Sequence, residues 1–106
     1  MTFVDRIRKL VEEGDVRISA HGHEELLNDG IFVKDIVKFK GVSIVQEYPE
    51  YRKGACILVL QMDRTDSPVH VVWGIPAGKE CPAVLVTAYR PDPKQWESGF
   101  LKRRGK

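Results

Sequence analysis

The run Val69-His70-Val71-Val72-Trp73-Gly74-Ile75 alternates with period two, and its reading decides the fold. Val69, Val71, Trp73 and Ile75 share one face, as expected of a strand packed on a core, and His70 projects from the other face with Val72 and Gly74. Three further runs rich in β-branched and apolar residues accompany it: Val42 to Tyr48, Ala55 to Asp63, and Ala83 to Arg90. The gaps between them, Pro49 to Gly54, Arg64 to Pro68 and Pro76 to Pro82, carry turn residues and are short. A parallel crossover needs a dozen or more residues, so the four runs predict an antiparallel meander.

Upstream the period is that of a helix. Phe3, Val4, Ile7, Leu10 and Val11 form one apolar stripe, with Gly14 as a C-terminal stop. Val16 and Ile18 alternate with Arg17 and Ser19, which allows at most a short extended segment. A second helix begins after Ser19 and ends at Asn28-Asp29-Gly30, and Val33, Ile36, Val37 and Lys40 suggest a short third, closed by Gly41. Downstream, Asp92-Pro93-Lys94-Gln95 reads as a capping box that opens a short terminal helix anchored by Trp96. The expected fold is α+β: two to three N-terminal helices on one face of a four-stranded antiparallel meander, with a short C-terminal helix. Residues 1–106 form one domain, divided into a helical part (1–41), the sheet (42–90) and the C-terminal helix with its tail (91–106). In the last strand, alternation puts Leu85, Thr87 and Tyr89 on one face and Val84, Val86, Ala88 and Arg90 on the other; which face is open is not fixed by the pattern.

The net charge of +2 is a property of the tail: residues 102–106 hold four of the 17 basic residues, leaving 13 against 15 acidic ones, a balance of −2. A wholly basic nucleic-acid surface is therefore not encoded. Cys56 and Cys81 form no C-x-x-C motif and no disulfide framework; Cys56 reads as a small buried hydrophobe and Cys81 as a loop residue. With no apolar run near the length of a membrane span and no signal-like N-terminus, the expectation is a cytoplasmic protein without a membrane partner.

Chemistry concentrates in Ile18-Ser19-Ala20-His21-Gly22-His23-Glu24-Glu25-Leu26-Leu27, which holds two of the three histidines. Ser19 is the expected N-cap. On the helix His21 shares a face with Glu24 and Glu25, at i+3 and i+4, while His23 points elsewhere. This is a histidine–carboxylate cluster and not a pair of histidines converging on a metal. A carboxylate beside an imidazole fixes its tautomer and suits it to general acid–base work, although such pairs also occur on purely solvated helix faces.

The Ile-Ser-x-His start of that helix, the His70-Val71-Val72-Trp73 strand and the ending Thr87-Ala88-Tyr89-Arg90-Pro91-Asp92 occur in the order found in the domain of unknown function 4258, and the chain resembles that family over nearly its whole length. The resemblance implies a scaffold similar to the RelE and BrnT toxins, whose relatives include metal-independent ribonucleases that cleave RNA by attack of the 2′-hydroxyl on the adjacent phosphate. It also implies that Thr87, Tyr89 and Arg90 sit where related toxins place active-site groups. One departure is present: many members read His-Ala-x-x-Arg in the helix, whereas here Gly22 follows His21 and Glu25 stands at the arginine position.

The leading expectation is thus a toxin-like endoribonuclease without metal or cofactor. His21, oriented by Glu24 or Glu25, would be base or acid, His70 or Tyr89 its counterpart, and Arg90 the phosphate ligand. Its partner would be RNA, to which the basic tail would add nonspecific affinity. The alternative is a non-catalytic module that docks a cognate protein through exposed Tyr48 and Tyr51 or a sheet edge, in an oligomeric state the sequence does not define. The weakest reading is a zinc hydrolase built on His21, Glu24 or Glu25, His70 and Cys81, whose spacing matches no compact ligand pattern.

Overall fold

The computed structural model describes residues 1–105; Lys106, the last residue of the basic tail, lies outside the described residues. The chain runs α1 (Phe3–Glu12), β1 (Val16–Ile18), α2 (Ala20–Asn28), α3 (Val33–Ile36), β2 (Ser43–Tyr48), β3 (Cys56–Met62), β4 (Pro68–Gly74) and β5 (Ala83–Tyr89). The architecture is α+β, but the sheet has five strands in the order β1-β5-β4-β3-β2. The expected four-strand meander is present as β2 to β5, all antiparallel. The short extended segment that the alternation of Val16 and Ile18 allowed is β1, and what the sequence reading did not give it is a place in the sheet: it pairs parallel to β5, Val16 beside Ala83 and Ile18 beside Leu85. Three residues carry too little pattern to name a partner, which lies more than 60 residues along the chain.

The helices are delimited as their termini dictate. The hydroxyl of Thr2 accepts from the Asp5 N–H, and Asp5 accepts in return from the Thr2 N–H, a reciprocal cap on α1. At the other end Gly14, at φ +76°, donates to Val11 O while Asp15 donates to Leu10 O. The same 5→2 and 6→1 pair closes α2: Gly30 donates to Leu27 O and Ile31 to Leu26 O. There the residues that make the cap also enter the core, since Leu26 and Ile31 are both buried.

One face of the sheet carries the core. Ile7, Val11, Leu26, Ile36 and Phe39 from the helical side meet Ile57, Val59, Val69, Val71, Trp73, Leu85 and Ala88. Burying side chains of this size is worth roughly 1.5–3 kcal/mol each, which is what holds the helices to the sheet. Gln61 is also buried on this face, and it is fully engaged: its carbonyl accepts from the Trp73 indole N–H at 2.8 Å and its amide donates to Ile36 O at 2.9 Å.

Two sequence expectations are corrected. In β5 a bulge at Val86 pairs Val72 with Thr87 but Trp73 with Leu85. The extra residue reverses the alternation, so Leu85 and Ala88 both face the core, and Thr87 and Tyr89 face away from it with Val72 and His70. The C-terminal helix does not form. The turn at Asp92 begins as expected, with Asp92 O accepting from the Gln95 and Trp96 N–H groups. Gly99 (φ +93°) and Phe100 (φ +60°) then reverse the chain, and Trp96 bridges to Arg103 as a hairpin-like strap. A glycine at this point disfavours another helical turn, and Trp96 is buried against the sheet instead.

Candidate functional site

The face of the sheet turned away from the helices is divided in two. At the end where β4 begins, the strap covers it; at the other end it is open and forms a groove of about 660 Å³. Cys56, Val72, Gly74, Val84 and Val86 floor this groove, and Tyr48 and Tyr51 stand along one side, 41% and 57% exposed. Arg17, Lys53, His21 and Ser19 also line it, as do Gly54, Ile75 and Pro76. The lining contains no acidic residue, although the body of the chain is acidic on balance.

Ser19 sets the geometry on the helix side. Its backbone N–H donates to Leu85 O, which extends the β1–β5 pairing by one residue. Its hydroxyl accepts from the Gly22 N–H at 2.9 Å, as the N-cap reading expects, and donates to Val86 O at 2.8 Å. One side chain thereby joins the start of α2 to the bulge in β5. Gly22 permits the approach: a Cβ there would stand 2.8 Å from Leu85 O, a backbone atom with little room to yield. Between these two contacts His21 is carried to the rim of the groove, its side chain 63% exposed.

On the hairpin side the loop between β2 and β3 folds onto the chain leaving β4. Ile75 donates to Ala55 O and Ala77 to Lys53 O. Gly54, at φ +131°, makes this possible, since a Cβ at that position would lie 2.0 Å from Ile75 O. The close crossing holds Tyr51 and Lys53 at the groove's edge.

The residues singled out from the sequence fall in three places. His21 is in the groove; Glu25 lies beside it, Oε1 3.8 Å from His21 Nε2, beyond hydrogen-bond reach, and Glu24 is exposed on the same helix. His70 and Tyr89 lie on the same broad face but near the strap. His70 is fully buried, its Nδ1 3.2 Å from Tyr89 Oη and its Nε2 2.7 Å from Phe100 O, with the Trp96 ring edge-on at 4.4 Å. A carbonyl only accepts, so Nε2 carries the proton and Nδ1 of the neutral ring accepts from Tyr89. Burial pushes His70 below its ordinary value of 6.5, and the charge of Arg103 pushes it the same way, against the opposing pull of Phe100 O. Burial likewise raises the Tyr89 phenol. Thr87 is half-buried between this pair and the groove.

Arg90 is in the third place. Its guanidinium bonds Asp63 Oδ2 at 2.8 Å, and its backbone N–H donates to Asp29 Oδ2 at 2.8 Å, which ties the end of β5 to the β3–β4 turn and to the end of α2. Burial alone would raise Asp63, but hydrogen bonds from Ser67, Thr65 and Arg90 together hold its carboxyl well below the ordinary carboxylate range. The Arg90 fork is thus engaged within the fold. The donors of the zinc reading are dispersed as well: His70 is under the strap, and Cys81 stands beside Asp15, whose charge raises the thiol. Among the described residues no three histidine, cysteine or carboxylate side chains come together as a metal-holding group. No helix among them is long and apolar enough to cross a membrane.

Sequence reasoning missed Arg17, Lys53 and Gly74 as site residues, and gave Tyr48 and Tyr51 only a protein-docking role. The available signals were the Lys53-Gly54 pair at a hairpin end and a glycine inside an otherwise β-branched strand.

The model of the domain of unknown function DUF4258 matches residues 18–90. The chain belongs to this family. The match begins at Ile18, the last residue of β1, and ends at Arg90, so it takes in α2, α3 and β2 to β5 but neither α1, Arg17 nor the strap over His70. No curated protein and no solved structure matches the chain.

Proposed function

We propose that this DUF4258 protein binds RNA in the open groove and cleaves it without a metal, with His21 as the proton-transfer group. The observation that carries the reading is the acid-free lining: two cations and an imidazole, with two tyrosines beside them, on a body that is otherwise acidic. Arg17 and Lys53 would take the phosphate charge, which grows as the 2′-oxygen attacks phosphorus. His21 would accept the 2′-hydroxyl proton and return it to the departing 5′-oxygen, so that the products are a 2′,3′-cyclic phosphate and a 5′-hydroxyl. Its side chain is 63% exposed, so that the ring can meet a substrate at the groove rim. His70, with both nitrogens engaged and no solvent access, is a structural residue in this scheme, and Arg90 stabilises the sheet end. The scheme keeps the reaction class that the sequence resemblance led to expect, though through a different set of residues from the sequence motifs alone.

Single-stranded RNA incubated in chelator should be cut by the wild type to cyclic-phosphate ends and cut at least about a hundredfold more slowly by His21→Ala. Equal rates for the two proteins would defeat the assignment.

A second reading, a protein-docking module, is favoured by Leu27 and Phe32, which are 82% and 62% exposed on the helical side, away from the groove. It expects self-association or a bound partner that Phe32→Ser abolishes. A wild type that remains monomeric and whose binding partners are unchanged by Phe32→Ser would remove it.

A further inference from the structure

The groove floor has a property that phosphate binding does not require. Gly74 lies inside β4, paired with Cys56 on one side and Val84 on the other. Glycine within a strand costs about 0.5–1 kcal/mol relative to alanine, and it often marks a position that another group approaches closely. Nothing in the fold calls for it here. Its φ is not in the left-handed region, and an added Cβ would meet Ala55 O and Cys56 Cβ at 3.4 Å and Val86 Cγ2 at 3.6 Å, all ordinary contact distances. The missing side chain leaves depth in the floor instead, among the apolar side chains of Val72, Val84 and Val86 and with Tyr48 and Tyr51 at the side.

We propose that the Gly74 floor is a seat for one unpaired nucleobase, so that the ligand of the groove is single-stranded RNA read partly through its base faces. This rests on the reading of the groove as an RNA site and adds the class of RNA. A flat, apolar-faced ring with a phosphate on either side matches the pattern of apolar floor, aromatic side and cationic rim. Stacking on aromatic side chains is available to any base that is not paired, and a duplex keeps its base faces inside. Charge complementarity selects this occupant over an acidic peptide only in combination with the floor, because a peptide carboxylate has no use for a flat apolar depth.

The test uses the full chain and fluorescence anisotropy with a 2′-fluoro RNA 12-mer, which lacks the attacking hydroxyl. The same strand is also presented as a duplex and with abasic sites in place of its central bases, so that the backbone charge is retained. The wild type should bind the intact single strand about tenfold or more tightly than either the abasic or the duplex form. In Gly74→Val, whose side chain fills the floor, that tenfold ratio should fall to about one. If Gly74→Val does not fold, Tyr51→Ala, a change at an exposed residue, carries the same comparison. Equal binding of intact and abasic strands by the wild type overturns the base seat, as does a ratio that survives in the variant. In those cases RNA is still bound, and the groove remains a backbone site. A wild type that binds none of the three RNAs and cleaves none overturns the underlying RNA reading instead.

Discussion

Replacing Ser19 by alanine removes one hydroxyl and two hydrogen bonds that hold different parts of the fold. The cap on α2, the 2.9 Å bond from the Gly22 N–H, is worth about 1 kcal/mol. The 2.8 Å bond to Val86 O contributes about another 1 kcal/mol; it lies at the groove edge, so water replaces part of it when it is lost. The sum, about 2 kcal/mol, corresponds to a fall in melting temperature of about 10 °C for a domain of this size. With a urea slope of about 2 kcal/mol/M the unfolding midpoint should move down by about 1 M. Ser19→Thr keeps a hydroxyl and should retain most of the stability. Because the lost bonds also fix the start of α2 on the β5 bulge, Ser19→Ala should weaken the proposed RNA cleavage beyond what its lower folded fraction explains. Urea titrations followed by circular dichroism measure the first effect. A loss under about 0.5 kcal/mol, or an equal loss in Ser19→Thr, would refute the claim that the hydroxyl joins the two elements.

The buried pairs give two more expectations. Unfolded His70 titrates near its ordinary 6.5, and in the fold burial pushes it lower. Between those two values the unfolded chain binds more protons, so stability conferred above the unfolded value is lost as pH falls from about 6.5 towards the folded one. Urea midpoints of the wild type between pH 8 and 5 should therefore decline more steeply than those of His70→Gln, and parallel curves would show that His70 is not held neutral. Arg90→Ala should cost about 2 kcal/mol by leaving the buried Asp63 carboxylate without its charged partner, and Arg90→Lys should recover only part. A near-neutral Arg90→Ala that loses RNA binding instead would return Arg90 to the phosphate role.

Much of this architecture is local and was readable. The strand period of residues 69–75 and the short turns on either side of it depend on neighbours a few residues away, and so do the N-cap at Ser19 and the Gly14 and Gly30 helix ends. The site was less readable. His70 and Tyr89, read from the sequence only as alternative counterparts of His21, pair with each other across β4 and β5, and the strap that buries His70 arises because Gly99 reverses the chain after Asp92 opens a turn. Arg90 looks free in the sequence because Asp63 and Asp29 are distant in it.

By itself the sequence determined the N-terminal helices, the antiparallel order of β2 to β5, the core face of β4 and the family. These follow from side-chain periodicity and turn chemistry, which act over a few residues. Only the tertiary structure decided that β1 adds a parallel fifth strand, that a bulge at Val86 turns Thr87 and Tyr89 away from the core, and that Arg17, His21, Tyr48, Tyr51 and Lys53 surround one groove. Each of those depends on a contact between residues far apart in the chain, where one extra residue in a strand or one missing Cβ at Gly22 or Gly54 sets which side chains meet.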